Sequence, residues 1–568
     1  MQLSSANRQW LADFLATHHR APRVLHIGNI ANNAYNNSKL LIEAGVDNDV
    51  LCYDYYHTMG CPEWEDADFS DTVADDLRPA WAQMNLNGFN RPHWFVQGPL
   101  HLCVDYLLAK QVGHRRCANQ HWHVLSVLNR THVGTSFAAA LSERWTAARA
   151  NVTSLQQRID GLFRLDPVLA FAKLYGARRT SKVSLHAARA AILMFVWALV
   201  SIALAVRYKL FTFGRQGQRS EPSRSISKFR GRSATLVQAW SSEYPERDDV
   251  LTERDHSLYE GTIDRWQQLF AHYDVVIGYS TDGIWPLLSG KPYLAFEHGT
   301  IREIPYRTTT QGRNAAMTYR NAEHVFVTNF DCLASAQKLA PGRFTLINHP
   351  YDEDHGLAVD GWQKLRASLR TSLDSDLICF FPTRHDWVDG TGYADKSNDV
   401  FLLALAELRG AGLRIGAVCC DWGANVAQSK TLLSKAGLDA HVRWLKPMAM
   451  VQFERMALAC DLVVDQFKLG AFGGIVFKAM AVGAPILTYL DQARLLEQYP
   501  EMPPVINCAT QASIVEKLGP LVAAPGRLVE LGDASRAWIK RYHAKQETVN
   551  LQLDQFRQLI GKHGAVAS

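Results

Sequence analysis

The sequence predicts an α/β protein of two Rossmann-like domains that face each other across a cleft. Its 568 residues are too many for one compact core. Short β-rich runs alternate with helical runs in two separate series, which is typical of βαβ units. Hydrophobic residues make up 47% and charged residues 20%, a globular balance that excludes a globally disordered chain.

The first series of strands and helices belongs to the amino-terminal half. Its predicted strands are residues 23–28, 49–53, 93–97, 274–277, 292–296 and 323–328. Helical runs at 39–44 and 284–288 follow two of these strands. Because parallel strands need crossover connections, this alternation predicts a parallel sheet, and we assign residues 1–345 to an N-terminal domain.

The second series is more regular and predicts a doubly wound domain over residues 346–530. Its predicted strands are residues 377–381, 414–420, 442–445, 462–464, 485–489 and 505–508. The intervening helical runs are residues 398–409, 427–436, 448–459 and 475–482. In such a domain, ligands bind beyond the carboxyl ends of the strands. Residues 531–568 are predicted to carry one helix, at 534–559, that packs back across the domains.

Residues 105–255 interrupt the first series with helical, basic and apolar stretches, so we predict a helical insertion in the N-terminal domain. The formal net charge is only +5, too weak to suggest a nucleic-acid partner. However, twelve Lys or Arg residues and a single acid lie between positions 178 and 232. The positive charge is therefore concentrated in one segment.

This basic segment surrounds seventeen almost wholly apolar residues, 190–206. That length is borderline for a membrane span, and a span would put the strand at 23–28 on the opposite side from those at 274–296. Basic residues on both sides instead suit a helix that meets an anionic membrane surface. We therefore predict a cytoplasmic protein, peripheral or monotopic on the inner face of the cell membrane. A buried core helix with charged ends is the alternative.

Several site types are not predicted. The ten cysteines include no C-x-x-C pair, which disfavours zinc or a redox pair and suggests a reducing compartment. The amino-terminal residues show no secretory signal, and there is no P-loop motif. His121 and His123 would share one face of a strand, but no third ligand is evident, so no metal site is expected.

Candidate phosphate-binding residues cluster at the ends of predicted C-terminal strands. Arg384 follows one strand and Lys396 precedes the next helix, where a guanidinium and an ammonium can hold a phosphate. The glycine-rich residues 465–474 then run into a helix, and closely spaced glycines let backbone N–H groups approach a diphosphate. The alternative for Arg384 and Lys396 is that they are solvated surface charges, and the alternative for the glycine-rich residues is that they form a tight turn.

Residues 461–485, DLVVDQFKLGAFGGIVFKAMAVGAP, resemble the retaining, family-4-like glycosyltransferases of the GT-B fold (glycosyl transferases group 1). The shared pattern is a strand, G-x-F-G, a helix and then G-x-P. The resemblance covers roughly residues 20–100 and 270–550 and leaves the insertion outside. It implies transfer of a sugar from a nucleotide-sugar donor to a glycan or lipid-linked acceptor, with retention of configuration and without a metal or cofactor. Together with the membrane character, it suggests a role in polysaccharide biosynthesis.

The resemblance also implies roles for individual residues. The predicted catalytic residues are His298, Arg384 and Lys396. The predicted donor-binding residues are Trp444, Leu445, Phe472, Gly473, Gly474 and Lys478. The predicted acceptor-binding residues are Asn32, Asn33 and Arg302. Each also fits a plainer role: His298 as a loop-stabilising donor, Arg302 as a surface charge, and the asparagines as turn formers.

One departure from the family affects the predicted function. The family has two glutamates eight positions apart, the second of which normally accepts hydrogen bonds from the nucleotide ribose, and here Gly470 and Lys478 take their places. A protonated lysine accepts no hydrogen bond, so Lys478 fits either contact with an extra donor phosphate or carboxylated sugar, or loss of activity. A sugar-nucleotide epimerase or hydrolase and a decayed membrane-associated scaffold therefore stay open. Residues 54–66 form an aromatic, acidic loop that fits either acceptor recognition or simple packing.

Overall fold

The computed structural model describes residues 1–131, 224–388 and 395–566. Two parallel sheets organise them, and the prediction of two Rossmann-like domains that face a cleft is confirmed. The N-terminal strands are β1 (Arg23–Ile27), β2 (Asp47–Tyr53), β3 (Phe95–Gly98), β4 (Val275–Tyr279), β5 (Leu294–Glu297), β6 (His324–Val327) and β7 (Phe344–Leu346). The C-terminal strands are β8 (Leu377–Phe381), β9 (Ile415–Cys420), β10 (Val442–Leu445), β11 (Leu462–Val464), β12 (Ile486–Thr488) and β13 (Ile506–Asn507).

The N-terminal sheet has the order β3-β2-β1-β4-β5-β6-β7 with every pair parallel. Strand β1 is central, and Leu25 pairs with Asp49 on one side and Val276 on the other. The strand order reverses between β1 and β4. A crevice opens at such a reversal, which places the loops after these strands at a ligand site.

The N-terminal helices cover both faces of this sheet. They are Ser5–His18, Asn33–Glu43, Pro62–Asp66, Leu100–Gln111, Arg115–Thr131, Arg224–Glu243, Glu253–His256, Ile263–Phe270, Ile284–Ser289, Thr310–Asn321 and Leu333–Leu339. Side chains from the described ends of the predicted insertion, including Leu107, Leu125 and Trp240, are buried in the same core as Val276 of β4. These ends are therefore part of the domain's packing.

The apolar segment 190–206 and most of the basic segment lie outside the described residues. Among the helices that the structure does describe, none combines the length and the apolar character needed to cross a membrane.

The C-terminal sheet has the order β10-β9-β8-β11-β12-β13 and is likewise parallel. Its helices are Trp362–Leu373, Asp399–Gly410, Val426–Lys435, Met450–Ala459, Val476–Ala481, Gln492–Leu496 and Gln511–Ala523. Strand β8 is wholly buried, as its unbroken apolar run LICFF requires of a strand covered on both faces. The strand order reverses between β8 and β11, so a second crevice opens after these strands.

The prediction of one helix at 534–559 is wrong. Two helices, Gly526–Tyr542 and Lys545–His563, are separated by a break at which Ala544 is extended. The buried ring of His543 lies 4.5 Å from that of Phe477 in the C-terminal domain. The second helix instead packs Phe556 against the N-terminal core. The break is where the chain leaves one domain for the other.

The prediction that His121 and His123 share a strand face is also wrong. Both lie in the helix Arg115–Thr131. Residues two apart on a helix are about 200° apart around its axis, so they face different directions. Among the described residues, no group of His, Cys, Asp and Glu side chains could hold a metal ion.

Candidate functional site

A cavity of about 300 Å³ lies between the two domains, where the carboxyl ends of both sheets face each other. Of the residues predicted from sequence, the cavity lining includes Asn33, His298, Gly474 and Lys478. Lining residues that the sequence analysis missed include Asn36, His349, Tyr351, Trp422 and Met448. Glu65 also lines the cavity and comes from the loop 54–66, for which acceptor recognition and simple packing had both been left open. The other predicted residues lie behind or beside this lining.

The loop after β1 forms one wall of the cavity. Ala31 and Asn32 both have left-handed backbone conformations, with φ of 50° and 56°. Such a conformation is costly for alanine and persists only where the surroundings hold it. The Asn32 amide donates to the carbonyl of Cys61 at 2.9 Å, and Asn32 Oδ1 accepts from Asn29 at 2.9 Å. Asn32 is therefore buried and holds the loop, while Asn33 lines the cavity.

His298 follows β5 and contributes an imidazole to the cavity lining. Its ring lies 5.1 Å from that of His349, and no described residue hydrogen-bonds to its buried Nδ1 atom. Burial lowers the pKa of His298 to about 4, and the neighbouring charges of Arg302 and Lys478 add to this effect. At neutral pH the ring is therefore uncharged, with one nitrogen that donates and one that accepts.

Arg302 lies next to this loop but does not line the cavity. Its guanidinium forks onto Asp331, with Nε and Nη2 at 2.6 and 2.8 Å from the two carboxylate oxygens. Burial alone would lower the pKa of Arg302, but Asp331 outweighs it and raises the pKa above its usual value. An acceptor phosphate at Arg302 would therefore compete with Asp331.

Lys396 and Arg384 lie together at the carboxyl end of β8. Lys396 Nζ donates to Gln466 Oε1 at 2.9 Å, and the Gln466 amide donates to the carbonyl of Ala471 at 2.9 Å. Burial lowers the pKa of Lys396, and the nearby charges of Arg384 and Arg302 lower it further. The Arg384 guanidinium is 6.0 Å from the ring of Trp422, which lines the cavity. Arg384 thus lies near one residue of the cavity lining, and Lys396 is close enough to Arg384 for their charges to interact.

The glycine-rich loop follows β11. The N–H of Gly473, which we expected to face a diphosphate, donates to Asp465 Oδ2 at 3.1 Å. The ring of Phe472 packs 4.8 Å from that of Phe477. Gly474, by contrast, lines the cavity, and no described atom lies within 4 Å of where its Cβ would be. Of the three predicted loop residues, Gly474 alone lines the cavity.

Trp444 and Leu445, at the end of β10, also lie outside the cavity lining. Lys430 Nζ lies 5.1 Å from the centre of the Trp444 ring, in the packing against the helix Val426–Lys435. Met448, three residues after the strand, and Trp422, two residues after β9, line the cavity instead. Their positions just beyond strand ends are the signal that could have identified them.

Lys478 makes an ion pair across the cleft. Its Nζ donates to Glu65 Oε1 at 2.7 Å, and Asn36 Nδ2 donates to the same oxygen at 3.0 Å. Burial would raise the pKa of Glu65, but Lys478 and Lys39 outweigh it and lower the pKa to about 2. The lysine that replaces a family glutamate therefore has a carboxylate partner from the opposite domain.

The acidic loop that contains Glu65 is packed between the domains. Asp68, two residues after the loop 54–66, accepts from Arg455 Nη1 and Nη2 at 3.0 and 2.7 Å, and from Gln452 at 2.8 Å. Trp64 of this loop shares a small buried cluster with Ala449 of the C-terminal domain. Packing therefore accounts for much of the loop's acidic and aromatic composition.

Comparison with known proteins finds similarity only among solved structures. No family model matches the chain, and no curated protein does. The structure of Anabaena HepE in complex with UDP-glucose is 15% identical to this chain, with a TM-score of 0.42. The match covers 60% of this chain and 97% of the HepE chain. Sucrose-phosphate synthase from Thermosynechococcus elongatus is 17% identical, with coverages of 54% and 80% and a TM-score of 0.40. A glycosyltransferase from Rickettsia africae is 12% identical, with coverages of 53% and 82% and a TM-score of 0.39.

Proposed function

We propose that this protein is a glycosyltransferase that moves a sugar from a nucleotide-sugar donor to a glycan or lipid-linked acceptor. The main support is a cavity between the carboxyl ends of two parallel sheets, with Arg384 and Lys396 near one wall and an uncharged histidine in the other. The C-terminal domain would hold the nucleotide and the N-terminal domain the acceptor. The sequence resemblance over residues 461–485 points to the same reaction.

On the donor side, the proposed chemistry is stabilisation of the negative charge that forms on the leaving diphosphate. Breaking the bond between the sugar and the diphosphate leaves negative charge on the departing phosphate. We propose that Arg384 and Lys396, which lie near each other, offset this charge, and that Gly474, which borders open space, lets the backbone approach the diphosphate. Fixed cations in a partly buried site stabilise a leaving group without reorganisation of solvent. We propose that these side chains take the part that a divalent metal plays in other transferases.

On the acceptor side, His298 is the proposed positioning group. Because its ring is uncharged at neutral pH, it can accept a hydrogen bond from a sugar hydroxyl or donate one to it. Asn33 lines the same wall and offers a second polar contact. Retention of the anomeric configuration is part of this proposal, and NMR of the product sugar would determine it.

The deciding measurement is calorimetric binding of UDP, GDP and ADP to the full chain. We expect one nucleotide to bind, with Arg384→Ala and Lys396→Ala each weakening it about tenfold or more, because each removes a charge-assisted contact. Lys364→Ala, on the exposed face of the helix Trp362–Leu373, is the matched control and should change nothing. Absence of binding by all three nucleotides, or equal binding by all variants, would contradict the enzyme proposal.

Product analysis separates the alternative reactions. With the nucleotide sugar that binds, a transferase needs an acceptor to release nucleoside diphosphate and forms a new glycoside. An epimerase converts the donor without an acceptor, and a hydrolase releases free sugar. A decayed scaffold binds without turnover. Membranes or lipid-linked acceptors should be present in the assay.

Membrane docking is a separate part of the proposal and is supported by the sequence alone. The twelve basic residues between 178 and 232 surround the apolar residues 190–206, so we propose that this segment binds the anionic inner face of the cell membrane. Flotation with vesicles that contain anionic lipid should recover the protein. Purely zwitterionic vesicles should recover much less, and equal recovery would contradict the electrostatic part.

A further inference from the structure

Gln466, two residues after β11, is a buried amide that joins two parts of the C-terminal domain's site. Its Oε1 atom accepts a hydrogen bond from Lys396 Nζ at 2.9 Å. Its Nε2 atom donates to the carbonyl of Ala471 at 2.9 Å. Ala471 belongs to residues 470–474, which we call the glycine segment. One side chain therefore connects the lysine to the glycine segment.

The two partners fix the orientation of this amide. An ammonium group offers only donors, and a carbonyl offers only an acceptor. If the amide of Gln466 were turned over, its N–H groups would face Lys396 and its oxygen would face the Ala471 carbonyl. A carboxylate would also place an oxygen against that carbonyl, and an apolar side chain would leave both groups without a partner, which is costly when they are buried. Glutamine satisfies both.

The glycine segment is held at a second point by the residue before Gln466. Asp465 Oδ2 accepts from the N–H of Gly473 at 3.1 Å. The next residue, Gly474, lines the cleft cavity. Two consecutive buried side chains thus hold the glycine segment, and one of them also holds Lys396. The position of the lysine is tied to a backbone segment that borders the cavity.

Gln466 is also uncharged, unlike the partners of two other cations near the cleft. Arg302 and Lys478 are each paired with a carboxylate, at 2.6 and 2.7 Å. Lys396 forms no ion pair with a carboxylate of the residues that the structure describes. A neutral acceptor satisfies the ammonium group without cancelling its charge, so that charge stays available to an anionic ligand.

The surroundings of Lys396 make this acceptor important. The nearby charges that act on its ammonium group are those of Asp465, Asp386, Arg384 and Arg302. Burial has the largest effect and lowers the pKa of Lys396. A hydrogen bond to the charged form of a group favours that form, so the amide of Gln466 helps to keep the lysine protonated.

We infer that Gln466 is a positioning residue, which holds Lys396 in place beside the glycine segment and leaves the charge of the lysine to the diphosphate of the donor. Gln466 acts on the ligand through Lys396 and does not touch it. This inference rests on the proposed function, because it assumes that a nucleoside diphosphate binds beside Lys396.

Calorimetric titration of the full chain with UDP, GDP and ADP tests this role in two variants. For the nucleotide that binds, Gln466→Met should weaken binding about fivefold or more, because Lys396 loses its acceptor. Gln466→Glu should weaken binding about tenfold or more, because the new carboxylate pairs with Lys396 and cancels its charge. Each variant carries the prediction by itself, and circular dichroism checks that it folds.

A double-mutant cycle distinguishes positioning of the lysine from general packing. If Gln466 acts through Lys396, then adding Gln466→Met to Lys396→Ala should change the affinity less than about twofold. A residue that only supports the fold would weaken binding as much beside the alanine as beside the lysine.

Two control variants should bind the nucleotide as the wild type does, within about twofold. Thr488→Val removes a hydroxyl that donates to the backbone carbonyl of Gln466 at 3.0 Å, but it leaves the side-chain amide and its partners intact. Gln363→Glu makes the same change of charge at an exposed position of the helix Trp362–Leu373.

Three outcomes would overturn the inference, and they differ. If the wild type binds a nucleotide but the effects of Gln466→Met and Lys396→Ala simply add, Gln466 does not act through the lysine, and the proposed function stands. If Lys396→Ala leaves the affinity unchanged, the lysine holds no diphosphate, and its part in the proposed function fails as well. If no nucleotide binds the wild type, the whole proposed function fails and the inference with it.

Discussion

At the scale of single residues, two adjacent glycines in the cleft loop are under different constraints. A Cβ on Gly473 would lie 2.3 Å from Asp465 Oδ2, an impossible contact. Asp465 is itself held by the Thr383 hydroxyl at 3.0 Å and the Gly473 N–H at 3.1 Å. Gly474 instead borders open space. One glycine is required for packing, and the other leaves room beside the cavity.

This contrast predicts unequal effects of the same substitution. Gly473→Ala should lower the free energy of unfolding by about 1–3 kcal/mol, because Asp465 must move and lose its partners. Gly474→Ala is the matched control and should change that free energy by less than about 0.5 kcal/mol. Urea denaturation of both variants measures the difference. Equal midpoints would show that the loop absorbs the extra methyl group.

At the scale of elements, the central strand β1 carries a buried histidine. His26 Nε2 lies 2.8 Å from Asn48 Oδ1 of β2, and Nδ1 lies 3.0 Å from the Tyr279 hydroxyl of β4. Burial lowers the pKa of His26 to about 4, against the opposing effect of Asn48. The folded protein therefore holds this ring neutral in a pH range where the unfolded chain binds a proton.

The sign of the resulting pH dependence follows from this difference. The stability that His26 contributes is complete above pH 6.5, the usual pKa, and is lost as the pH falls toward 4. The loss amounts to about 3 kcal/mol, at about 1.4 kcal/mol for each unit of pKa difference. Acid should therefore destabilise the protein already between pH 6.5 and 4.

Urea denaturation at several pH values tests this expectation. His26→Gln should be less stable than wild type at pH 7.5, but its stability should fall less steeply between pH 6.5 and 4. His123→Gln, at an exposed position of the helix Arg115–Thr131, is the control and should keep the wild-type slope. Parallel curves for all three proteins would contradict the assignment to His26.

At the scale of the whole molecule, contacts of the acidic loop and of Asp68, two residues after it, connect the two domains across the cleft. Arg455 forks onto Asp68 at 3.0 and 2.7 Å, and Lys478 pairs with Glu65 at 2.7 Å. The C-terminal helix adds a further connection, since Gln552 donates to Asn37 at 3.0 Å. Polar contacts of this kind are weak enough to break and re-form, so they suit a cleft that must admit substrates.

Arg455→Ala should shift the domains toward an open arrangement. Asp68 is partly exposed, so the pair is worth about 1 kcal/mol, or roughly a fivefold change in the ratio of closed to open forms. Small-angle scattering should show a larger radius of gyration, and hydrogen exchange should quicken in the helix Pro62–Asp66. Arg557→Ala, whose ion pair with Asp554 lies within one helix, should change neither measurement. An unchanged radius in Arg455→Ala would show that other contacts hold the cleft.

The sequence by itself predicted most of the strands and the strand ends at which we place the candidate site. Strands at 377–381 and 462–464 were predicted to the residue, because short apolar runs bounded by polar residues have few alternatives in a buried parallel sheet. The edge strand 442–445 was predicted with the right bounds although its Arg443 is exposed. The positions of Arg384 and Lys396 followed from the rule that ligands lie at the carboxyl ends of strands. These patterns are local and can be recognised within a few consecutive residues.

Tertiary structure alone decided how the side chains are partnered. The pairing of Glu65 with Lys478, the fork of Arg302 onto Asp331 and the internal role of Asn32 depend on contacts between distant segments. Sequence carries no local signal for such contacts, since the partners lie up to 413 positions apart. The same residue types could equally have faced solvent. These side chains come into contact only when folding brings the distant segments together, so their partners, burial and distances depend on the tertiary structure.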